Sequence, residues 1–195
     1  MAKHVLIIDG HPDPLAEHYV HALATAYRDG ARLGEHEVRS IIVSETAFPL
    51  LRTNADFTEG FPVATISHCQ ESVAWADHLV ILFPLWLGSM PALLKGFFEQ
   101  LLRPGFAFSA VTRGAGHKKL LKGKSARIIV TMGMPGLFYR WYYRAHSLKS
   151  LERNMLGFCG VHPVRASIIG MVESMDPRGR GIWLSKIQRL GQRAA

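Results

Sequence analysis

The sequence predicts an α/β domain built on a doubly wound, five-stranded parallel sheet in the order 2-1-3-4-5. Three observations predict it. Short apolar runs recur along the chain, and segments with helical spacing separate them. The best runs, such as Leu79-Val80-Ile81-Leu82-Phe83, are continuous rather than alternating, as strands buried on both faces require. The connections are long enough for right-handed crossover helices, so neighbouring strands run parallel.

The elements follow in order. Val5–Ile8 is the first strand, and Asp9-Gly10-His11-Pro12-Asp13-Pro14 ends it. Asp13 fits an N-cap and Pro14 the first helical position. Leu15, Tyr19, Ala22 and Ala26, with Val20, Leu23 and Tyr27, keep helical spacing to about Leu33, and Gly34 closes the helix. Val38–Val43 is interrupted by polar residues and reads as a strand nearer the sheet edge. Residues 44–62 read as a long irregular loop, and Ile66–Ala76 as a helix. Leu79–Phe83 is the central strand. Pro84 stops it, because proline has no N–H for a ladder. Gly88 and Ser89 form a loop, and Pro91 opens a helix whose face is Ala92, Leu93, Gly96, Phe97 and Leu101. After Phe106–Phe108 a basic, glycine-rich loop runs to Lys124. Ala126–Thr131 is a buried strand that ends in Met132-Gly133-Met134-Pro135-Gly136. Phe138–Phe158 is aromatic and helix-compatible. Val164–Ile169 is the last strand, and Pro177, Gly179 and Gly181 precede a basic amphipathic helix carrying Trp183, Ile187 and Leu190.

Composition narrows the function classes. At 195 residues the chain reads as one domain, 1–195. Two cysteines, Cys69 and Cys159, make no disulfide framework and fit a reducing, cytoplasmic setting. Met1 to Val5 leads straight into a strand with no signal peptide ahead of it, and no apolar run reaches the roughly 20 residues that span a bilayer. The formal charge is +8, but the basic residues are dispersed and no nucleic-acid motif accompanies them, so no nucleic-acid partner is expected. No metal is expected. A G-x-G-x-x-G after the first strand and a G-x-x-x-x-G-K-[ST] are both missing, which argues against a dinucleotide-binding Rossmann domain and a Walker-type NTPase.

In such a sheet a ligand binds outside the carboxyl ends of the strands, here at loops 9–18, 84–90 and 131–136. A helix N-terminus after His11 offers backbone N–H groups and a positive dipole end to a phosphate, and His11 and His18 add hydrogen-bonding groups there.

At these loops the sequence resembles the NAD(P)H:quinone oxidoreductase family, flavodoxin-like flavoproteins related to DT-diaphorase. Four stretches in order carry the likeness: His11-Pro12-Asp13-Pro14; Phe83-Pro84-Leu85 with Pro91-Ala92-Leu93-Leu94-Lys95-Gly96-Phe97; Thr131-Met132-Gly133, where the family has Thr-Thr-Gly-Gly; and Phe158-Cys159-Gly160-Val161. The resemblance implies a flavodoxin-like fold and a flavin, FAD ahead of FMN, with NAD(P)H as co-substrate. It implies two-electron, ping-pong hydride transfer to a quinone-like acceptor, and a homodimer with the site at its interface. His11 and His18 would serve the phosphate. Pro84, Leu85, Trp86, Leu87 and Gly88 would lie along the isoalloxazine edge. Thr131, Met132, Gly133 and Met134 would meet its pyrimidine side. Tyr139 matches the family's active-site tyrosine, and His146 lies one residue from its histidine; both would offset charge on the ring or acceptor. Aromatic packing is the competing role for this pair, among Phe138, Trp141, Tyr142 and Tyr143. Departures are Leu15, Ala16, Glu17 and His18, where relatives carry hydroxyl or amide residues, Leu87 in place of a tryptophan, and Met132 and Met134 in place of smaller residues. The same resemblance implies a second role, a regulatory ancillary subunit that contacts a potassium-efflux transporter. A one-electron carrier fits less well, since flavodoxins are usually acidic.

Overall fold

A computed structural model describes residues 1–109 and 117–195. Five strands, β1 (His4–Asp9), β2 (Glu37–Ile42), β3 (His78–Pro84), β4 (Ser125–Thr131) and β5 (Val164–Ile169), pair in parallel as β2-β1-β3-β4-β5. This is the predicted order. The helices are α1 (Tyr19–Leu33), α2 (Asn54–Thr58), α3 (Ala64–Trp75), α4 (Ala92–Leu101), α5 (Gly136–Trp141), α6 (His146–Lys149), α7 (Gly157–Cys159) and α8 (Pro177–Gln192). Residues 110–116 of the glycine-rich loop predicted after Phe108 lie outside the described residues.

Side chains alternate along each strand, so each strand feeds two cores. Val5, Ile7, Val80, Leu82 and Ile129 pack under α1 and α8. Leu6, Ile8, Leu79, Ile81, Phe83 and Ile128 pack against α3, α4 and the 145–159 segment. Burial on both faces is why the runs are continuous rather than alternating. Each such side chain contributes roughly 1.5–3 kcal/mol when fully buried.

α1 and α8 meet backbone to backbone. A Cβ on Gly30 would stand 1.9 Å from Gln188 O, and one on Gly191 would stand 2.2 Å from Tyr27 O. Only glycine allows that approach. The contact sets α1 firmly on the sheet and so fixes where its N-terminus points.

Four predicted boundaries are corrected. α1 begins at Tyr19, not near Leu15; its N-cap is His18 and makes no side-chain cap bond. Asp13 instead accepts the Leu15 N–H at 3.0 Å in a local turn. The 44–62 loop holds a 3-10 turn at Val43–Glu45 and α2, which a reciprocal Thr53–Asp56 capping box closes. The 138–158 helix is broken: Arg144 (φ 51) and Ala145 (φ 49) are left-handed, and a π-helical segment Ser150–Leu156 joins α6 to α7. Finally, Pro177, Gly179 and Gly181 lie inside α8, because Asp176 is its N-cap and accepts the Gly179 N–H at 2.7 Å. Among the described residues no helix is long and apolar enough to cross a membrane.

Candidate functional site

The loops after β1, β3 and β4 converge at the carboxyl edge of the sheet. Gly10 N–H donates to Leu82 O at 2.8 Å, and Leu85 N–H donates to Thr131 O at 2.7 Å. The Trp86 ring stands edge-on to His11 at 6.1 Å. Ser147 Oγ of α6 lies 3.4 Å from Ser89 Oγ, which brings the His146 turn beside the central loop.

The central loop is a tight reversal. Trp86 and Ser89 exchange backbone hydrogen bonds, both 2.9 Å, with Leu87 (φ 47) and Gly88 (φ 76) left-handed between them. That is the two-residue turn geometry that favours glycine, and Leu87 holds it against its preference. The turn leaves the Leu87 and Gly88 amides without a partner among the described residues. Leu87 is fully exposed and Trp86 half-exposed, while Pro84 and Leu85 are partly covered.

The β4 loop is held by the chain that follows β5. Met132 N–H donates to Ile169 O at 2.9 Å, and Met132 O and Met134 O accept the Val172 and Met171 N–H groups, each at 3.2 Å. Thr131 and Met132 are buried; the Gly133 and Met134 amides have no partner among the described residues.

Around the end of β1 the structure gathers His11, His18 and His21 with Asp9 and Asp13. His11 and His18 stack at 3.9 Å, and His21 stands 5.2 Å from His11. His11 Nδ1 lies 3.0 Å from the Asp13 carbonyl oxygen and 3.1 Å from the Asp13 N–H, so it donates to the first in one tautomer and accepts from the second in the other. Burial holds His11 below the ordinary histidine value, which favours its neutral form. His18 Nε2 faces Asp13 Oδ2 at 2.8 Å. The Leu15 amide, and then His18, hold the Asp13 carboxyl below the usual range. His21 Nδ1 faces Asp9 Oδ2 at 2.6 Å, and Nε2 faces Asp13 O at 2.9 Å. Burial opposes charge on His21, but Asp9 and the Asp13 carbonyl outweigh it and raise the ring above its ordinary value. Above the cluster, the Tyr19 and Val20 amides at the uncapped start of α1 have no partner among the described residues.

The two remaining candidates part company. His146 is exposed at the start of α6. Tyr139 is buried at 1% exposure, and its hydroxyl accepts the Leu148 N–H at 3.2 Å. Sequence reasoning missed Asp9, Asp13 and His21 as members of the cluster. The signal for His21 was its i, i+3 spacing from His18, which places both on one helical face.

The unpartnered donors fall into two sets. The Tyr19 and Val20 amides suit an anion at a helix start. The Leu87, Gly88, Gly133 and Met134 amides suit the carbonyl-rich edge of a flat heterocycle. Among the described residues no group of three or more His, Cys, Asp or Glu is arranged to hold a metal ion.

Known proteins share this architecture. An NAD(P)H:quinone oxidoreductase structure from Methanothermobacter marburgensis superposes with a TM-score of 0.82 at 21% identity, over 99% of this chain and 97% of that one, a likeness of fold. The FMN-dependent NADH:quinone oxidoreductase of Macrococcus caseolyticus (strain JCSC5402) is 26% identical over 204 residues, covering 95% of each chain. The glutathione-regulated potassium-efflux system ancillary protein KefG of Cronobacter sakazakii (strain ATCC BAA-894) is 41% identical over 75 residues, 38% of each chain. Other curated relatives are matched over only 52% and 64% of their own length. The sequence profile described as flavodoxin-like fold matches residues 3–184. With the sheet order and the site at its carboxyl edge, this establishes that the chain belongs to the flavodoxin-like fold family.

Proposed function

We propose that this chain is a flavin-dependent NAD(P)H oxidoreductase that reduces quinones or similar acceptors, acting as one flavin-binding domain over 1–195 in a cytoplasmic setting. The observation that carries this reading is the convergence of unpartnered donors from three loops, with an anion-binding helix start at one end and free loop amides at the other.

FMN is proposed in place of FAD, which the sequence put first. The relative matched over 95% of both chains is described as FMN-dependent. Arg180, beside the start of α1, is already committed: it lies over the Tyr19 ring and donates to Val172 O and Met175 O. It is not free for a second phosphate.

When bound, the flavin would supply hydride acceptance from NAD(P)H and two-electron delivery to the acceptor. The Tyr19 and Val20 amides with His11 and His18 would hold its phosphate. The Leu87 and Gly88 amides would orient the ring. The Gly133 and Met134 amides would stabilise negative charge on its pyrimidine side. Trp86 and Leu87 would shield the ring from water. His146, exposed beside the central loop, would offset charge on the acceptor. Tyr139 we assign a positioning role: its buried hydroxyl holds the first turn of α6, which carries His146.

Leu137, Phe138, Trp141, Tyr142 and Tyr143 form an exposed apolar stretch next to that turn. A homodimer through this face would dry the site. Sedimentation of Trp141→Glu as monomer, against dimeric wild type, is the expected result.

The test of function is a yellow purified protein whose released flavin is FMN and which reduces quinone with NADH or NADPH. Failure of both FMN and FAD to bind at tens of micromolar, about −6 kcal/mol or weaker, sinks the reading. The KefG likeness favours a second role as the regulatory subunit of a transporter. A flavin-loaded protein that turns over no quinone yet is retained by a potassium-efflux transporter in detergent would favour it.

A further inference from the structure

The histidine cluster has an electrostatic consequence for the phosphate it would meet. Both ring nitrogens of His21 face acceptors, the Asp9 carboxylate at 2.6 Å and the Asp13 carbonyl at 2.9 Å. A neutral imidazole has one N–H and satisfies one of them; the imidazolium satisfies both. His18 Nε2 faces a carboxylate as well, 2.8 Å from Asp13 Oδ2. His11 is 5% exposed, and its Nε2 has no partner among the described residues.

The surroundings are acidic. Asp9 and Asp13 touch the rings, and Glu17 precedes the His18 cap. Glu45 and Arg28 line the cavity of about 200 Å³ that Asp9 and His21 also line, and Asp29 borders the groove beside His21. Arg180 lies over Tyr19 from α8. With neutral histidines the carboxylates outnumber the cations, and a dianion is repelled. Protonation of His21 reduces that excess, and the α1 amides are free to bind it.

We propose that the end of β1 is a proton-coupled site for a phosphate monoester dianion, in which His21 takes up a proton to admit the terminal phosphate of the flavin mononucleotide. This rests on the flavin reading above. It runs against the ligand's own titration: a phosphate monoester gains its second charge near pH ~6, so a site of amides alone binds it equally or better above that pH.

The experiment is fluorescence titration of the apoprotein with FMN and, separately, riboflavin from pH 6.5 to 8.5. Calorimetry in two buffers of different ionisation enthalpy counts the protons. The FMN dissociation constant is expected to rise at least about tenfold across the range, with proton uptake on binding and no such slope for riboflavin. His21→Gln should weaken FMN at pH 6.5 and reduce the slope. A constant or falling FMN constant, an equal slope for riboflavin, or a full slope in His21→Gln overturns the proposal while leaving flavin binding intact. No binding of FMN or riboflavin at any pH overturns the flavin reading and this proposal together.

Discussion

Replacing Tyr139 with Phe separates a positioning role from a catalytic one. The hydroxyl is the acceptor for the Leu148 N–H at 3.2 Å, and the ring is 1% exposed. Leu148 is in the first turn of α6, whose N-cap, Ala145, has no side chain to cap it. The tyrosine oxygen therefore satisfies an amide that the helix cannot. Phe keeps the ring and removes only that acceptor. A buried amide left unpaired costs about 1–3 kcal/mol. The bond lies at the long end of the N–H···O range, which places the expectation at about 1–2 kcal/mol. For a chain of this length each kcal/mol lowers Tm by about 2–4 °C, so the fall should be about 2–8 °C. Urea unfolding should show a lower midpoint with an unchanged slope. Stopped-flow should show flavin reduction by NAD(P)H close to wild type below the new transition, because the hydroxyl does not touch the reacting groups. An unchanged midpoint together with a tenfold or greater loss in either half-reaction, about 1.4 kcal/mol, would refute the positioning role and restore Tyr139 as a catalytic residue.

Two further perturbations test the packing and its charges. Gly191→Ala gains about 1 kcal/mol of helix propensity, but its Cβ would stand 2.2 Å from Tyr27 O, a backbone atom, so the unfolding free energy from urea titration should fall by a net of about 1–3 kcal/mol; Gly181→Ala in the same helix has nothing within 4 Å and should raise it. His78 is 2% exposed, and burial, reinforced by Lys3 and Arg127, pulls it down to about 3. Since its folded value is below the unfolded one near 6.5, its contribution is present above pH 6.5 and is lost on acidification toward about 3. Unfolding at pH 4 against pH 7 should lose up to about 3 kcal/mol through this group, and a His78→Met chain that is equally acid-sensitive would contradict that. His21 has the opposite sign: its folded value is raised, so its contribution is full below its unfolded value and is lost as pH rises through the folded one.

The sheet was legible because burial on both faces leaves a local trace. Leu79–Phe83 and Ala126–Thr131 are read as strands from their own residues, and the order follows from the crossover rules. Helix starts were less legible, because the same residue types serve competing bonds. Asp13-Pro14 has the pattern of an N-cap and first helical residue, as does Asp176-Pro177. The second pair does start a helix. In the first, the Asp13 carboxylate is taken by the Leu15 amide and His18, and α1 starts five residues after Pro14. Nothing within that window distinguishes the two; the difference lies in the histidines around Asp13.

The site divides along the same line. Its backbone parts were legible, because a strand end, a proline and a helix start fix where amides go; loops 9–18, 84–90 and 131–136 do converge. Its charge was not. Asp9 reads as the polar end of an apolar strand, and its pairing with His21 spans 12 residues of chain and depends on how α1 sits against β1. That seating depends in turn on Gly30 and Gly191, which bring α1 and α8 to backbone contact on the sheet. Substituting those glycines should therefore disturb the Asp9–His21 pair as well as the packing. A Gly191→Ala chain that folds with a wild-type His21 titration by NMR would show that the cluster is held by its own loop and not by the helix seam. The seam account expects the His21 value to drop toward that of an ordinary histidine, since the Asp9 bond that raises it would lengthen.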